Sequence, residues 1–565
     1  MSEHDELAIW LPDGRVTPPV NPYGRLIANA GVYRALAREG GYQHLHVQSR
    51  VPPPAGQLAA ELCVGADVDV TTGPLFSTAA AVGAGTLLSG QPYLTEPAWL
   101  RRFAGRDNDY SLVGTIFAFA SATHREQMMA SVLAPVHEWD ALVCSSPSLR
   151  STVERVFETW QEHLREQLSA RDVQLPRPQL PVIAFGTDVE AIGAQATDRA
   201  ARASLRNSWG VAAEDVVVYL LGRLSYYDKA FPQAMFKAVQ AARVGTGVTT
   251  HFVLTGWFPQ GEADQRRFEE AAHTYAPDVP VHFLDGNDAT LVAQCWAAAD
   301  VFLLLSDTIL ETFGQALVEA MAAGLPLVVS DWDGYRSIVR DGVDGFLVPT
   351  LGASGGSLGE TLGVLQQLGL ADFAQYAGSV SQHTAVNVGR ATAALSALLA
   401  SADLRRRMGE AGRNRAREHF SWQVIAGQYL ELFAELGQRR SKATAAPAGS
   451  RQRVNPLRGD PFADFRDLPT LVLHDDLVVQ LAAPSGAAGG SAGAPVAVPD
   501  TELDRMASGM RGNEHEARGV VGVLAASGPM TVRDVLGEFP GQRRPFVRMT
   551  VLWLAKAGVV EWLPT

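Results

Sequence analysis

The 565-residue chain has few cysteines, no long apolar runs and little positive charge, and each of these shortages excludes a class of function. Its three cysteines, Cys63, Cys144 and Cys295, are widely spaced and odd in number, so they predict neither a disulfide framework nor a zinc site. No apolar run approaches the roughly 18 residues needed to span a bilayer. The N-terminus lacks a basic segment followed by an apolar core, so a secretory signal is not expected. We therefore expect a cytoplasmic protein in a reducing compartment.

Positive charge is also scarce. The formal net charge is −13, which disfavours a general nucleic-acid-binding function because affinity for phosphates requires clustered cations. Arginine supplies nearly all of the cations. A lysine that falls inside a motif is therefore a candidate for a specific role. The lysines of the chain are Lys229, Lys237, Lys442 and Lys556.

Short apolar segments alternate with helical segments over most of the chain. In the middle of the sequence, candidate strands at 215–224, 250–256 and 300–306 are separated by helical patterns, which predicts βαβ units and a parallel sheet with helices on both faces. A second alternation lies upstream, from LAIWLP (7–12) to LPVIAFG (180–186). The sequence thus predicts an α/β protein with two Rossmann-like, doubly wound domains. Neither domain carries GxGxxG after its first strand, so a dinucleotide cofactor is not expected.

Changes in composition suggest the domain boundaries. Stretches rich in Ala, Gly, Ser and Pro follow the second of these domains, after residue 436, and are typical of linkers. The segment 467–483 between them is a candidate hairpin. The C-terminal segment has a helix, turn, helix and strand pattern, which suggests a winged-helix module. The predicted units are an N-terminal Rossmann-like domain (1–195), a C-terminal Rossmann-like domain (196–436), a linker with the hairpin (437–500) and a winged-helix-like module (501–565).

Two glutamates, Glu311 and Glu319, flank the predicted start of a helix that follows the strand at 300–306. Ligands of open parallel sheets bind at the carboxyl ends of the strands. The unpaired amides and the dipole of a helix N-terminus favour an anion such as a diphosphate. Alternatively, the glutamates lie on a solvated helix face. The amides in question belong to Thr312, Phe313 and Gly314.

Two cations follow another strand of the same predicted sheet, in LLGRLSYYDKAF (220–231). Arg223 can bind phosphate oxygens bidentately, and Lys229 adds a compact charge. Together with the helix tip they would stabilise the charge that develops as a nucleotide diphosphate leaves. Glu311 can reach a ligand hydroxyl. Glu319 leans back towards the helix N-terminus, which suits it to accept hydrogen bonds from a ribose diol.

The stretch FLLLSDTILETFGQALVEAMAAGLPLVVSDWDGYRSIVRDGVDGFLVPT (302–350) resembles the signature of glycosyltransferase family 4. The matching elements are E-x7-E with FG after the first glutamate, EAMA-x-G-x-P (319–326) and DG-x-x-G-F-L-V-P (341–349). GRL…DK, PVIAFGTD (181–188) and HFSW (419–422) extend the resemblance over roughly residues 5–436. It implies the GT-B fold, in which two Rossmann-like domains face a cleft. It also implies retaining transfer of a hexose-type sugar from a nucleotide diphosphate donor to a hydroxyl acceptor.

The resemblance also implies roles for individual residues. It makes 1–195 the acceptor domain and 196–436 the donor domain, with no metal and no cofactor beyond the donor. UDP is the expected donor base from its frequency in the family, GDP and ADP remain open, and the acceptor is not readable. Arg223, Lys229 and the amides of Thr312, Phe313 and Gly314 would bind the diphosphate. Glu319 would bind the ribose, and Glu311 and His124 would contact the transferred sugar. Gly24 would belong to a glycine loop that lacks the usual paired glycines.

One motif offers an alternative to a metal-independent site. Asp331, Trp332 and Asp333 spell DxD, which binds metal in the other main glycosyltransferase fold. Here the motif falls in the loop after the strand LPLVVS, where the family has a variable loop. Metal binding is therefore not expected.

The C-terminal module offers an alternative to catalysis. It weakly resembles the peptide-recognition winged helices attached to peptide-modifying enzymes, on TVRDVL and LAKAGVVEW, so a protein or peptide partner is expected. Arg543, Arg544 and Arg548 leave DNA as a less favoured partner. The alternative function is a non-catalytic GT-B scaffold whose tail binds DNA or a protein. Peripheral membrane contact is also left open.

Overall fold

The structure is a computed structural model of the chain. It divides into two compact units, Met1–Pro456 and Leu457–Thr565. Most of the two predicted linker stretches, 444–451 and 484–497, lies outside the described residues. The structure describes residues 5–16, 21, 24–169, 176–443, 452–483 and 498–563.

The first half of the larger unit is a parallel sheet flanked by helices. Its elements are β1 (Glu6–Trp10), α1 (Gly24–Glu39), β2 (His44–Ser49), α2 (Ala55–Leu62), β3 (Asp69–Pro74), α3 (Ala79–Ala84), β4 (Thr86–Ser89), α4 (Thr95–Phe103), β5 (Ser111–Ile116), α5 (Ala122–Ala130), β6 (Ala141–Cys144) and α6 (Pro147–Gln167). The strands pair in the order β3-β2-β1-β4-β5-β6. Strands β4, β5 and β6 are buried along their whole length, as expected for a parallel sheet covered on both faces.

The second half repeats this architecture. Its elements are α7 (Val189–Ala196), α8 (Arg199–Ser208), β7 (Val216–Leu221), α9 (Gln233–Thr246), β8 (Thr250–Gly256), α10 (Glu262–Tyr275), β9 (Val281–Asp285), α11 (Ala289–Ala298), β10 (Val301–Leu304), α12 (Gln315–Ala323), β11 (Leu327–Ser330), α13 (Tyr335–Ile338) and β12 (Gly345–Val348). The order β12-β11-β10-β7-β8-β9 is that of the first sheet. The predicted pair of doubly wound α/β domains is confirmed.

The segment between the two sheets differs from the prediction. The strand expected at 180–186 is not formed, and Val182 makes an isolated bridge to Cys144. Pro181 lacks an amide hydrogen and cannot donate to a sheet. Helix α7 packs against α11 and α12 of the second half. Residues 189–195 therefore belong with the second sheet, upstream of the predicted boundary.

The last part of the larger unit closes the fold. It contains β13 (Thr350–Gly352), α14 (Ser357–Gln367), α15 (Phe373–Gln382), β14 (Thr384–Val386), α16 (Val388–Ala400), α17 (Ala402–Phe420) and α18 (Trp422–Lys442). Helix α18 packs against α1 and β5. Trp422 at its start lies so close to Gly31 of α1 that a Cβ there would be 2.1 Å from the ring. This helix therefore ties the second half back to the first sheet.

The smaller unit is a separate helical module with its own sheet. Its elements are α19 (Pro461–Asp464), β15 (Val478–Leu481), α20 (Glu502–Arg505), α21 (Glu514–Ser527), β16 (Met530–Thr531), α22 (Val532–Gly537), α23 (Arg544–Lys556) and β17 (Val560–Trp562). The strands form an antiparallel sheet in the order β16-β15-β17. The hairpin predicted at 467–483 is therefore wrong, because β15 pairs with strands about 50 and 80 residues downstream. The winged-helix resemblance stays a prediction.

Three arginines of this module have partners within it. The Arg543 guanidinium donates two hydrogen bonds of 2.7 Å to the Glu516 carboxylate. These hydrogen bonds lower the pKa of Glu516 to about 2. Arg548 pairs with Asp475. Arg544 donates to the Phe539 carbonyl at 3.1 Å. The three cations weighed for DNA binding thus already have partners in the module.

Among the described residues, no helix combines the length and the apolar character that crossing a bilayer requires.

Candidate active site in the larger unit

A cavity of about 850 Å³ lies where the carboxyl ends of the two sheets face each other. This volume is within the range of small-molecule sites in proteins. Loops after β4 and β5 line one wall, and loops after β7, β8, β9 and β10 line the other. The structure brings together all nine residues predicted from the sequence: Gly24, His124, Arg223, Lys229, Glu311, Thr312, Phe313, Gly314 and Glu319.

The tip of α12 is shaped by a glycine and an aromatic ring. Gly314 has φ 104°, which L side chains rarely adopt, and a Cβ there would lie 2.5 Å from the Tyr335 ring. The Phe313 ring is buried and packs edge-on against Phe185, with centroids 5.2 Å apart. Within the described part of the chain, no acceptor takes the amides of Thr312, Phe313 or Gly314. The tip therefore presents polar backbone groups to the cavity.

Both predicted cations carry a carboxylate partner. Lys229 Nζ lies 2.7 Å from Glu311 Oε2, and the two side chains are only 12% and 11% exposed. Arg223 contacts Asp228 at 3.1 Å. Burial raises the pKa of Asp228, and Arg223 offsets part of that rise. The sequence predicted cations facing an anion, and the structure adds the carboxylates with which such an anion would compete.

Glu319 lies on the first turns of α12, half-buried beside the lysine. Burial raises the pKa of Glu319 to about 7, while Lys229 and a hydrogen bond from Gln315 act in the opposite direction. Both protonation states are therefore populated near neutral pH. A carboxylate at this position can accept hydrogen bonds from a diol.

Three consecutive side chains after β10 hold the loop that carries the cations. We call Ser306, Asp307 and Thr308 the brace. Each of them is buried, and each bonds the backbone of the loop after β7. The bonds are Ser306 Oγ to the Lys229 carbonyl (2.8 Å), Thr308 Oγ1 to the Tyr227 carbonyl (2.8 Å), and the Phe231 amide to Asp307 Oδ1 (3.2 Å).

The brace is itself anchored to the neighbouring strand. Ser330 at the end of β11 donates to the Ser306 carbonyl at 2.6 Å, and Trp332 Nε1 donates to the Thr308 carbonyl at 2.9 Å. Burial raises the pKa of Asp307 to about 8. Sequence reasoning missed the brace, although only Ile309 and Leu310 separate S-D-T from the recognised Glu311.

The strand ends beneath the cations approach one another closely. A Cβ at Gly256, the last residue of β8, would lie 1.9 Å from the carbonyl oxygen of Gly222, which follows β7. Gly286, after β9, is similarly close to Gly256. All three glycines line the cavity. Backbone rather than side chains therefore lines this part of the cavity.

The opposite wall carries the predicted histidine and two residues that the sequence analysis missed. His124 lies in the first turn of α5, and its ring centroid is 6.0 Å from that of Tyr93. Burial, and then the nearby charge of Arg25, lower the pKa of His124. The imidazole is therefore neutral at neutral pH. A Cβ at Gly24 would meet no atom within 4 Å, so the protein itself does not require glycine there.

The DxD motif does not form a joint site. Asp331 pairs with Arg336 at 2.6 Å, whereas Asp333 accepts a hydrogen bond from Ser146 of the first half at 2.5 Å. Burial raises the pKa of Asp333 to about 6. In the described ranges, no group of three or more His, Cys, Asp or Glu residues is arranged to hold a metal ion. The absence of a metal requirement stays a prediction.

Residues 201–353 match the family described as "Glycosyl transferases group 1", so the chain carries a glycosyltransferase group 1 domain. Phosphatidyl-myo-inositol mannosyltransferase of Mycobacterium tuberculosis is 32% identical over 189 residues, which are 33% of this chain and 39% of that protein. D-inositol 3-phosphate glycosyltransferase of Nocardia farcinica is 30% identical over 191 residues, which are 33% and 42%. The chain thus spans about two fifths of the length of these relatives.

A similar solved structure is that of HepE from Anabaena in complex with UDP and glucose. It is 16% identical, with a TM-score of 0.49, and the alignment covers 76% of this chain and 100% of that one.

Proposed function

We propose that the protein transfers a hexose-type sugar from a nucleotide diphosphate donor to a hydroxyl acceptor, with retention at the anomeric carbon. The observation that carries the proposal is the convergence of Arg223, the Lys229–Glu311 pair and the tip of α12 on one cavity. These residues all lie within the glycosyltransferase group 1 domain. Clustered cations and helix-tip amides are suited to a diphosphate.

When the donor binds, its diphosphate replaces the Glu311 carboxylate as the partner of Lys229. Phosphate oxygens bind Lys229, with Arg223 and the amides of Thr312, Phe313 and Gly314 completing the site. Glu311 then loses its ion-pair partner and accepts hydrogen bonds from the hydroxyls of the transferred sugar. Glu319 accepts from the ribose diol in its ionised form. Binding of the diphosphate and orientation of the sugar are thereby coupled through a single lysine.

The reaction develops negative charge on the leaving diphosphate. Arg223, Lys229 and the helix tip stabilise this charge where it forms, in a cavity that is partly shielded from water. The neutral imidazole of His124 on the opposite wall donates to a sugar hydroxyl. The leaving diphosphate helps to deprotonate the acceptor hydroxyl on the same face of the sugar, which gives retention. No carboxylate pair of the glycosidase type is required.

Release of nucleotide diphosphate tests the proposal. Purified chain is incubated with UDP-glucose, GDP-mannose and ADP-glucose, after thermal-shift measurements with UDP, GDP and ADP have identified the base. We expect slow hydrolysis of at least one donor, reduced about 10²-fold in Glu311→Gln. Glu269→Gln on the exposed face of α10 serves as the control. NMR of the newly formed sugar reports whether the anomeric configuration is retained.

Two outcomes would contradict the proposal. Equal rates for wild type and Glu311→Gln would show that the turnover does not come from this cavity. Absence of binding and turnover with all three donors would favour the non-catalytic scaffold, with the C-terminal module as the partner-binding part.

A further inference from the structure

The two walls of the cavity differ in how their charges are balanced. On the donor wall, Arg223 and Lys229 face Asp228 and Glu311. On the wall from the first half, the lining residues include Arg25 and no carboxylate. Within the described residues, Arg25 has no ion-pair partner and makes no hydrogen bond through its side chain. Arg25 is exposed, and it lines the cavity.

Arg25 is close enough to two lining rings to influence both electrostatically. Its charge acts against the rise that burial causes in the pKa of Tyr93, and it adds to the fall that burial causes in the pKa of His124. The Tyr93 and His124 rings contact each other. A guanidinium, a phenol and an imidazole therefore line the same wall of the cavity.

Apolar side chains make up much of the rest of this wall. Phe117 and Ile27 line it, and Ile27 remains 45% exposed. An acidic group on an acceptor would be repelled by the donor diphosphate at short range unless a cation offsets the repulsion. A guanidinium without a carboxylate partner supplies that cation and can bind a phosphate or carboxylate bidentately.

We propose that Arg25 and Tyr93 form a subsite for an anionic group, phosphate or carboxylate, on the acceptor. The inference rests on the proposed transferase function and names the acceptor class of the same cavity. The anion lies beside His124, so the acidic group and the reacting hydroxyl belong to neighbouring parts of the acceptor. The apolar neighbours Ile27 and Phe117 contact the carbon skeleton that joins them.

Calorimetric binding of glucose 6-phosphate and glucose to the full chain tests the subsite, with and without UDP. We expect wild type to bind the phosphorylated sugar at least tenfold more tightly than glucose, and Arg25→Gln to remove that difference. Tyr93→Phe retains the ring and loses the hydroxyl, so a loss of about three- to tenfold is expected. Arg125→Gln is the matched control, because Arg125 lies exposed on α5 over the Phe119 ring and does not line the cavity.

The UDP measurements show whether Arg25 binds the donor diphosphate or an acidic group on the acceptor. The proposal requires that Arg25→Gln binds UDP as wild type does. A loss of UDP affinity equal to the loss for glucose 6-phosphate would assign Arg25 to the donor and overturn it. Equal binding of glucose and glucose 6-phosphate by wild type would overturn it as well. Failure of every variant to bind any of UDP, GDP and ADP would contradict the proposed function. The measurements without nucleotide would still decide whether the subsite binds an anion.

Discussion

Two ion pairs of equal length stand in the two halves of the larger unit. Arg101 and Asp140 lie 2.7 Å apart in the first half, with both side chains 0% exposed. Lys229 and Glu311 lie 2.7 Å apart in the second half, and both side chains line the cavity. The distance is the same, so it does not separate a structural pair from a functional one.

The surroundings of the two pairs differ. Asp140 also accepts from the amides of Leu112 and His137, each at 2.8 Å, so its oxygens are fully used within the protein. Among the described residues, the Glu311 carboxylate bonds one side chain, that of Lys229, and it faces space that a ligand can fill. A closed pair holds the fold together, whereas an open pair leaves charges available for exchange with a ligand.

Removal of the closed pair should have the largest effect on stability. Arg101→Met leaves Asp140 as a buried, unpaired charge, so the free energy of unfolding should fall by about 3–5 kcal/mol. Urea unfolding followed by fluorescence measures this. Arg106→Gln breaks an exposed pair with Asp109 and should cost about 1 kcal/mol or less. Equal losses for the two variants would contradict a structural role for the closed pair.

Loss of the brace should weaken function more than stability. Asp307→Ala removes the acceptor of the Phe231 amide, so the loop that carries Lys229 is less well positioned. Misplacement of a binding group by about 1 Å can cost about 10²-fold, and we expect losses of about 10- to 100-fold in donor turnover. Asp307→Asn keeps an acceptor oxygen and should retain most of the activity. Full activity of Asp307→Ala would show that the loop does not depend on the brace.

Much of this architecture could be predicted from the sequence, for a physical reason. Strands β7, β8 and β10 are buried on both faces and are therefore read as apolar runs. The edge strand β3, DVTTGP, is partly exposed and has no such run. The hairpin failed because the partners of β15 lie far along the chain.

In the site too, residues within one contiguous motif were predicted, whereas contacts between distant segments were missed. Residues inside a contiguous motif, such as Glu311 and Glu319, were predicted and do line the cavity. The brace was missed because its bonds join segments 76 to 81 residues apart. Arg25 and Tyr93 were missed because their meeting with His124 depends on the packing of three separate segments.

The pH dependence of stability offers a smaller test, at Asp307 of the brace. Burial raises the pKa of Asp307 from its usual 3.8 to about 8, so the folded state retains a proton that the unfolded state releases near pH 4. The free energy of unfolding should therefore fall as the pH rises from about 4 to 8. Asp307→Asn should flatten this fall, with a melting temperature roughly 5 °C above wild type at pH 9. Asp278→Asn, at an exposed position, should follow wild type, and an unchanged slope for Asp307→Asn would contradict the account.

The central claim is that Lys229 and its neighbours bind a diphosphate. Calorimetric comparison of UDP with UMP, or of the diphosphate with the monophosphate of whichever base the thermal-shift measurements identify, tests it most directly. The two ligands differ by one phosphate, so the uridine contacts cancel. Wild type and Lys237→Met, whose lysine lies over the Tyr275 ring outside the cavity, should bind UDP at least tenfold more tightly than UMP. Lys229→Met should lose most of that preference. An equal preference in Lys229→Met and wild type, or none in wild type, would contradict the claim.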